Sequence, residues 1–231
     1  MNSAIIVLGM AGVVIVARWL MELGLAQLNR RHVLAHADEV PDAFKDMMDQ
    51  ATYARSVQYT LAKGRFGQIE DSWRMIVLLV VLFSGVLPWG FGAWNGWLGD
   101  SAWTAAAFLF VVGLLLSLTE LPFDWYLDFR LEQRFGFNTM TPRVWWADRV
   151  KGLLLASLLG YPLLALMLKF VEWTGAAWWL WAWAALLGFQ LVLSVLAPVL
   201  ILPLFNKFTP LPEGELRERL TALHVSLGQA F

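Results

Sequence analysis

Two histidines, His32 and His36, have the only metal-like spacing in the sequence. Four residues apart on a helix, their imidazoles would share one face, which is the arrangement that zinc-binding helices use. However, Val33 stands where the hydrolytic form of such a helix carries a general-base glutamate, and only Asp38 or Glu39 is near enough in sequence to be a third ligand. We therefore interpret both as solvated or interfacial histidines, and we predict no metal site in this chain.

The carboxylate of Glu120 stands at the end of an apolar run, directly before Leu121 and Pro122. A charged side chain costs about 2.5–3.5 kcal/mol at the centre of a membrane helix and less near the interface. We therefore expect Glu120 to face water or a partner. Two interpretations stay open: Glu120 lines a cavity or anchors a helix, or it pairs with a nearby arginine or caps exposed backbone amides.

Two prolines interrupt the last apolar run of the sequence. Pro198 and Pro203 lack backbone donors, so the helix should bend or end just before Asn206 and Lys207. A change of direction there fits a functional groove, and it fits equally well an ordinary helix exit with Lys207 beside anionic headgroups. The sequence contains no GxSxG, P-loop or dinucleotide fingerprint.

The composition is typical of an integral membrane protein and argues against a soluble domain. Hydrophobic residues make up 59% of the chain and charged residues 15%, and the 14 Trp are expected at the lipid boundary. A formal net charge of −1 without a basic stripe argues against nucleic-acid binding. Because the sequence has no cysteine, disulfides, thiolate metal sites and thiol nucleophiles are excluded.

Five apolar segments approach the length of about 20 residues that crosses roughly 30 Å of hydrocarbon. They are residues 4–28, 73–93, 102–121, 150–171 and 177–203. We therefore predict an all-α, polytopic transmembrane helical bundle of about five spans, with amphipathic cytoplasmic helices. The first span contains Arg18 and Glu22, whose spacing allows them to pair on one helix face.

The positions of lysine and arginine predict the orientation. The connections after the first and third spans are rich in both, whereas the loops at 95–101 and 172–176 contain neither. The positive-inside rule therefore predicts an N-terminus outside and a C-terminus in the cytoplasm. The short loops favour a bacterial inner membrane.

The segments between spans are predicted to contain amphipathic helices. Apolar residues recur at helical spacing between 41 and 63, with Pro41 suited to a first turn and Gly64 to a stop. A second stripe repeats every four residues and ends before Gly136, and Thr141 followed by Pro142 is typical of a helix start. The second stripe consists of Phe123, Leu127, Leu131 and Phe135.

These patterns predict four regions along the chain. Residues 1–28 form the first transmembrane helix, and 29–72 form a cytoplasmic amphipathic helical segment. Residues 73–205 form four further transmembrane helices, with a cytoplasmic interfacial loop at 122–149. Residues 206–231 begin a further cytoplasmic segment.

Four motifs follow one another between about residues 59 and 216. They are YTLAKGRFG from residue 59, LPFDWY from residue 121, EQRFGFN from residue 132 and APVLILPLFNKFTPLPEG from residue 197. By these motifs the sequence resembles the N-terminal membrane region of type I CAAX prenyl proteases. That family consists of integral-membrane zinc metalloendopeptidases whose helices enclose a large water-filled chamber, with the active site on the cytoplasmic side. Glu120, Asp124, Asn206 and Lys207 are, by this resemblance, candidates for lining the chamber or a substrate groove.

The resemblance also implies what this chain does not carry. Family members place a His-Glu-x-x-His zinc helix and a later glutamate ligand downstream of the matched region, and the sequence ends before them. It therefore implies the N-terminal scaffold of such an enzyme, inactive alone, with zinc in the full-length protein and none bound to this chain. The implied partners are the lipid bilayer, the downstream catalytic segment, and a prenylated or other membrane-associated peptide substrate.

Two other functions stay open on the sequence alone. A small transporter or channel would explain polar residues such as Glu120 and Gln190, although no internal repeat supports it. A catalytically silent membrane adaptor, as a complete gene product, is the other alternative. Reading the coding sequence past Phe231 would separate the adaptor from the protease scaffold.

Overall fold

A computed structural model describes residues 3–208 and 213–228 of the chain. Within these residues the structure consists of helices joined by short turns, without a strand. The all-α prediction is therefore confirmed. The chain divides into two compact units, Met1–Trp173 and Thr174–Phe231, which are described separately below. The predicted segment 206–231 falls partly on residues outside the described ranges.

The first helix is longer than its predicted span. Helix α1 is Ser3–Ala35 and continues through Arg30 and Arg31. A helix of 33 residues is about 50 Å long, which exceeds the roughly 30 Å hydrocarbon thickness. Arg18 Nε donates to Glu22 Oε1 at 2.8 Å, so the predicted pair on one helix face is confirmed.

The second helix begins and ends elsewhere than predicted. A 3₁₀ turn, Asp42–Phe44, follows Pro41, and α2 then runs over Gln50–Phe83. Asp49 is its N-cap and accepts a 2.9 Å hydrogen bond from the Thr52 amide. The prediction of a stop at Gly64 was wrong, because a glycine inside a helix costs only about 1 kcal/mol and a long helix tolerates it.

A break divides the predicted span 73–93. Helix α3 is Val86–Leu98 and turns from the direction of α2 by 59°. Gly85 makes the turn with a φ of +78°, which glycine adopts without steric penalty. α1 packs against α2 up to this break, since a Cβ added at Gly12 would lie 2.7 Å from Phe83 Cζ.

The predicted span 102–121 and the amphipathic stripe that follows it form a single run of helical segments. Helix α4 is Ala102–Leu118, capped by Ser101, and α5 is Leu121–Tyr126. A π-helical segment, Leu127–Glu132, leads into α6, Gln133–Phe135. The run ends at Gly136, with a φ of +82°, as predicted. The predicted interfacial helix therefore extends α4 rather than standing apart from it.

The next helix starts where the sequence predicts. The Thr141 side chain caps α7, Pro142–Leu155, by accepting a hydrogen bond from the Val144 amide. A π-helical segment, Ala156–Gly160, connects α7 to α8, Tyr161–Thr174. Local turn chemistry therefore positions the start of α7, on which the site described below depends.

The second unit contains the last predicted span. A 3₁₀ turn, Gly175–Ala177, precedes α9, Trp178–Leu196. A π-helical segment, Ala197–Ile201, and the short α10, Leu202–Phe205, contain Pro198 and Pro203, so the predicted bend or end of the helix is confirmed. Helix α11 is Glu215–Gly228.

Helices long and apolar enough to cross a bilayer account for the membrane assignment. Among the described residues, Ile5–Ala35, Ala102–Phe135 and Pro142–Phe205 qualify alone, and the bent pair of α2 and α3 qualifies together. The range Pro142–Phe205 contains two of the predicted spans, one in each unit. The chain is therefore a multi-pass membrane protein.

Candidate functional site

Four carboxylates recur every four residues along the run from α4 to α6. They are Glu120, Asp124, Asp128 and Glu132, and we call them the carboxylate row. Side chains at this spacing are neighbours along one side of a helix. The two end members bond to α2, and the two middle members bond to α7. The row therefore joins two helices that are far apart in sequence.

Glu120 pairs with an arginine of α2. Arg74 Nε donates to Glu120 Oε1 at 3.0 Å, and the same guanidinium bonds to Glu70 and lies 3.6 Å from Asp71. The side chain of Glu120 is 37% exposed. The structure shows the pair with a nearby arginine, and because Arg74 lies on α2, the same pair also connects two helices. Because one guanidinium serves three carboxylates, the group formed by Arg74 and these carboxylates carries a formal net negative charge.

Asp124 and Asp128 connect to α7 through neighbouring side chains. Arg149 donates to Asp124 Oδ2 at 2.8 Å, and its guanidinium carbon lies 4.6 Å from the centre of the Trp145 ring. The indole Nε1 of Trp145 donates to Asp128 Oδ2 at 2.8 Å. Trp145 is only 3% exposed, so a well-packed indole holds this part of the row.

Glu132 is bonded to the N-terminal half of α2. The phenol of Tyr59 donates to Glu132 Oε1 at 2.6 Å, and Lys63 Nζ lies 3.1 Å from the same oxygen. Beside them, Arg55 donates to the Phe135 carbonyl at 3.1 Å. These bonds fix the end of the helical run before its turn at Gly136.

Sequence reasoning identified Glu120 and Asp124 but missed their partners. It also missed Asp128 and Glu132, although the spacing of four residues is visible in the sequence beside the apolar stripe. The partners themselves, all on α2 or α7, carry no sequence signal that assigns them to the row. They are Arg74, Arg149, Trp145, Tyr59 and Lys63.

Asn206 and Lys207 belong to the second unit. Asn206 follows α10 with extended backbone, and its amide donates to the Leu202 carbonyl at 2.9 Å. Both side chains are exposed. The structure therefore brings Glu120 and Asp124 into one row, and it shows Asn206 and Lys207 as an exposed helix exit.

The described residues do not fit a zinc ion. His36 Nδ1 lies 2.9 Å from the carbonyl of His32, and Lys45 holds Glu39 at 3.0 Å. Hydrogen bonds to Asp42 and then Glu39 raise the pKa of Lys45 above its ordinary value. In the described ranges, no group of three or more His, Cys, Asp or Glu side chains could hold a metal ion.

Known proteins are similar to this chain in sequence and fold. Residues 29–207 match the family described as CAAX prenyl protease N-terminal, five membrane helices. The chain is similar to CAAX prenyl protease 1 of Saccharomyces cerevisiae, with 33% identity over 82% of this chain and 44% of the relative. It is also similar to the CAAX prenyl protease 1 homologues of Oryza sativa subsp. japonica, with 33% identity over 86% of this chain and 48% of that relative, and of Homo sapiens, with 30% identity over 94% and 47%.

A solved structure supports the same assignment. The crystal structure of S. mikatae Ste24p matches with a TM-score of 0.82 and 28% sequence identity, over 92% of this chain and 50% of that one. The chain spans about half the length of the relatives it matches. Because the family match covers most of the sequence and the fold agrees, the chain belongs to the family described as CAAX prenyl protease N-terminal, a region with five membrane helices.

Proposed function

We propose that this chain is the N-terminal membrane scaffold of a zinc metalloendopeptidase that cleaves prenylated or other membrane-associated peptides. The match of residues 29–207 to the CAAX prenyl protease N-terminal family carries this proposal. The lack of a metal-holding group among the described residues supports a division of roles, in which a downstream catalytic segment supplies the zinc ligands. The scaffold alone then has no hydrolytic activity.

In this proposal the carboxylate row keeps the scaffold in shape while part of it faces the substrate chamber. Glu120 and Asp124 retain 37% and 27% exposure although both are paired, which supports a place at a water-filled surface. Asn206 and Lys207 are exposed polar groups at a helix exit and are proposed to line the substrate groove.

The proposed orientation has the N-terminus outside and the C-terminus in the cytoplasm. Because the chain has no cysteine, single replacements at Lys45 and Arg217 give unambiguous labelling with a membrane-impermeant maleimide. Both cysteines should react only after the cytoplasmic face is opened. Labelling from opposite faces would contradict the orientation. Short loops favour a bacterial inner membrane, whereas the named relatives are eukaryotic.

The activity is tested by purifying this chain in detergent with and without the downstream segment of its coding sequence. We expect the extended protein to bind zinc and cleave a farnesylated CAAX peptide, and a chelator to abolish cleavage. This chain alone should do neither. Zinc binding or cleavage by the chain alone would refute the scaffold proposal, and an inactive, zinc-free extended protein would refute the protease assignment.

A further inference from the structure

A groove with a volume of about 590 Å³ lies between α2 and α5, within the first unit. Its α2 wall includes Arg65, Ile69, Trp73 and Ile76, which follow one another at intervals of three or four residues and therefore share one face of the helix. Phe123 of α5 forms the other wall, with its ring centre 6.0 Å from that of Trp73. One end of this groove is charged, and the rest is mainly apolar.

The charged end holds a cation without a partner. Arg65 is exposed, and its side chain forms no hydrogen bond or ion pair with the described part of the chain. No carboxylate stands three or four positions from it along α2, and the nearest ones on this helix, Glu70 and Asp71, lie beside Arg74. The other residues that line the groove are uncharged. The guanidinium of Arg65 therefore keeps its donors for an external anion.

The apolar part of the groove begins one turn further along α2. Ile69 is 62% exposed, Trp73 is 39% exposed and Ile76 is 50% exposed. Exposed apolar side chains in a continuous strip are stabilised by an apolar neighbour. Arg65 and Ile76 are about 16 Å apart along the helix axis, so an anion with an attached hydrocarbon chain would reach from one to the other.

The length of the bent pair of α2 and α3 gives the depth of Arg65 in the bilayer. With α2 along the membrane normal and α3 turned by 59°, residues 69–98 advance by about 30 Å, which matches the hydrocarbon thickness. Arg65 then lies about 6 Å outside the hydrocarbon, within a headgroup layer of roughly 5–8 Å. Ile69, Trp73 and Ile76 face the acyl chains. The groove therefore has its cation at the level of the lipid phosphates.

We propose that this groove binds an anionic phospholipid, such as phosphatidylglycerol, in the leaflet that borders the N-terminal half of α2. The lipid phosphate bonds to Arg65, and one acyl chain lies along Ile69, Trp73 and Ile76. A zwitterionic lipid fits less well, because the groove lining has no carboxylate to receive its ammonium group. The site is independent of the protease activity proposed above, since it needs neither a zinc ion nor a peptide.

Two substitutions remove the free cation in different ways. Arg65→Gln deletes the charge, and Gln68→Glu adds a carboxylate to the groove lining three residues from Arg65, where the two can pair. Arg31→Gln is a matched control, because it removes the same charge from an exposed site outside the groove. The hydrogen bond between Trp19 and Ser72 puts these residues at one level, and Arg31 lies about 18 Å further along α1, away from the membrane.

The test uses the chain in phosphatidylcholine nanodiscs with a phosphatidylglycerol that carries a photoreactive group on its acyl chain. Mass spectrometry should place the cross-link within residues 65–76 or at Phe123. Unlabelled phosphatidylglycerol should displace the probe about fivefold better than phosphatidylethanolamine, the ratio expected for one arginine beside an anionic lipid. Arg65→Gln and Gln68→Glu should each abolish this preference, and Arg31→Gln should keep it.

Several results would overturn the proposal. They are equal competition by the two lipids in the unsubstituted chain, a cross-link elsewhere, and a preference that survives both groove substitutions. Loss of the preference in Arg31→Gln would attribute it to net charge instead of the groove. Stronger displacement by a farnesylated peptide than by phosphatidylglycerol would assign the groove to a peptide. If Arg65→Gln does not fold, Gln68→Glu decides alone, because glutamate and glutamine have nearly the same shape.

Discussion

The phenol of Tyr59 donates a 2.6 Å hydrogen bond to the carboxylate of Glu132, 73 residues further along the chain. Lys63 lies within hydrogen-bond distance of both groups, at 2.8 Å from the phenol oxygen and 3.1 Å from the carboxylate. Glu132 is one end of the carboxylate row and Glu120 is the other. Because both ends bond to α2, the run from α4 to α6 is fixed against that helix at two separate points.

Tyr59→Phe should lower the stability of the folded chain by about 1–2 kcal/mol, because the ring stays while the bond to a charged acceptor is lost. Thermal unfolding in detergent, followed by tryptophan fluorescence, measures the change. Tyr126→Phe is the matched control, since its ring stacks 5.3 Å from Phe66 and phenylalanine keeps that contact. Equal losses in the two variants would show that the bond to Glu132 contributes nothing.

Arg74 and Glu120 should show a coupling free energy of about 1 kcal/mol in a double-mutant cycle. Arg74→Met alone should be the most damaging variant, because it leaves the carboxylates of Glu70 and Glu120 close together without their shared cation. The double variant with Glu120→Gln should recover part of that loss. Additive effects of the two substitutions would mean that this pair does not anchor the helices.

Gly136→Ala should destabilise the chain by about 1–2 kcal/mol, because alanine pays a steric cost at a φ of +82°. The added Cβ would meet only Arg55 Nη2, at 3.7 Å, so the cost lies in the backbone and not in a clash. Gly64 instead lies inside α2, where alanine favours the helix more than glycine does. Gly64→Ala should therefore stabilise the chain by about 0.5–1 kcal/mol. A raised unfolding midpoint for Gly136→Ala would contradict the first assignment, and a lowered midpoint for Gly64→Ala would contradict the second.

Gly12→Ala should weaken the packing of α1 on α2 by about 1–3 kcal/mol, since the new methyl would lie 2.7 Å from the Phe83 ring. Gly9→Ala, one turn earlier in α1, meets nothing within 4 Å and should be harmless. Chemical denaturation in mixed micelles compares the two. If Gly9→Ala lowered the stability as much as Gly12→Ala, the cause would be helix propensity or lipid contact and not the close approach of Gly12 to Phe83.

Asp49 should make the start of α2 sensitive to acid. Hydrogen bonds from Thr52 lower the pKa of Asp49 below its usual value, so the carboxylate stabilises the fold above the unfolded-state pKa. That stabilisation is lost as pH falls through the lowered pKa, below about 4. Amide exchange at residues 50–55, corrected for intrinsic rates, should rise at low pH. Asp49→Asn caps without titrating and should remove this pH dependence.

Helix starts and stops were predictable where the signal is local. Thr141 and Pro142 begin α7, Gly136 ends α6, and the helix with two prolines ends before Asn206, because each depends on a few adjacent dihedral angles. Gly64 shows the limit of such rules, since the same residue type sits inside α2 without breaking it. Hydropathy alone likewise gave no sign of the bend at Gly85, which lies within an apolar run.

The partners of the candidate site were not predictable in the same way. Glu120 was recognised as a carboxylate that needs a partner, but Arg74 stands 46 residues away and only the packing of α2 brings it near. The sequence predicts that Trp145 lies at the lipid boundary like the other tryptophans. In the structure its indole is buried and donates a hydrogen bond to Asp128. Pairings over such separations depend on the tertiary fold and not on local preference.

The contact between Gly12 and Phe83 lies at the last residue of α2, immediately before the chain changes direction. A motion of α3 relative to α2 would therefore rotate about Ser84 and Gly85 alone, while the residue below them is held against α1. The first helix therefore contacts α2 directly beside the 59° turn into α3. Removing α1 would take away this contact, which adjoins the turn, so it should affect the orientation of α3 even where both helices remain intact.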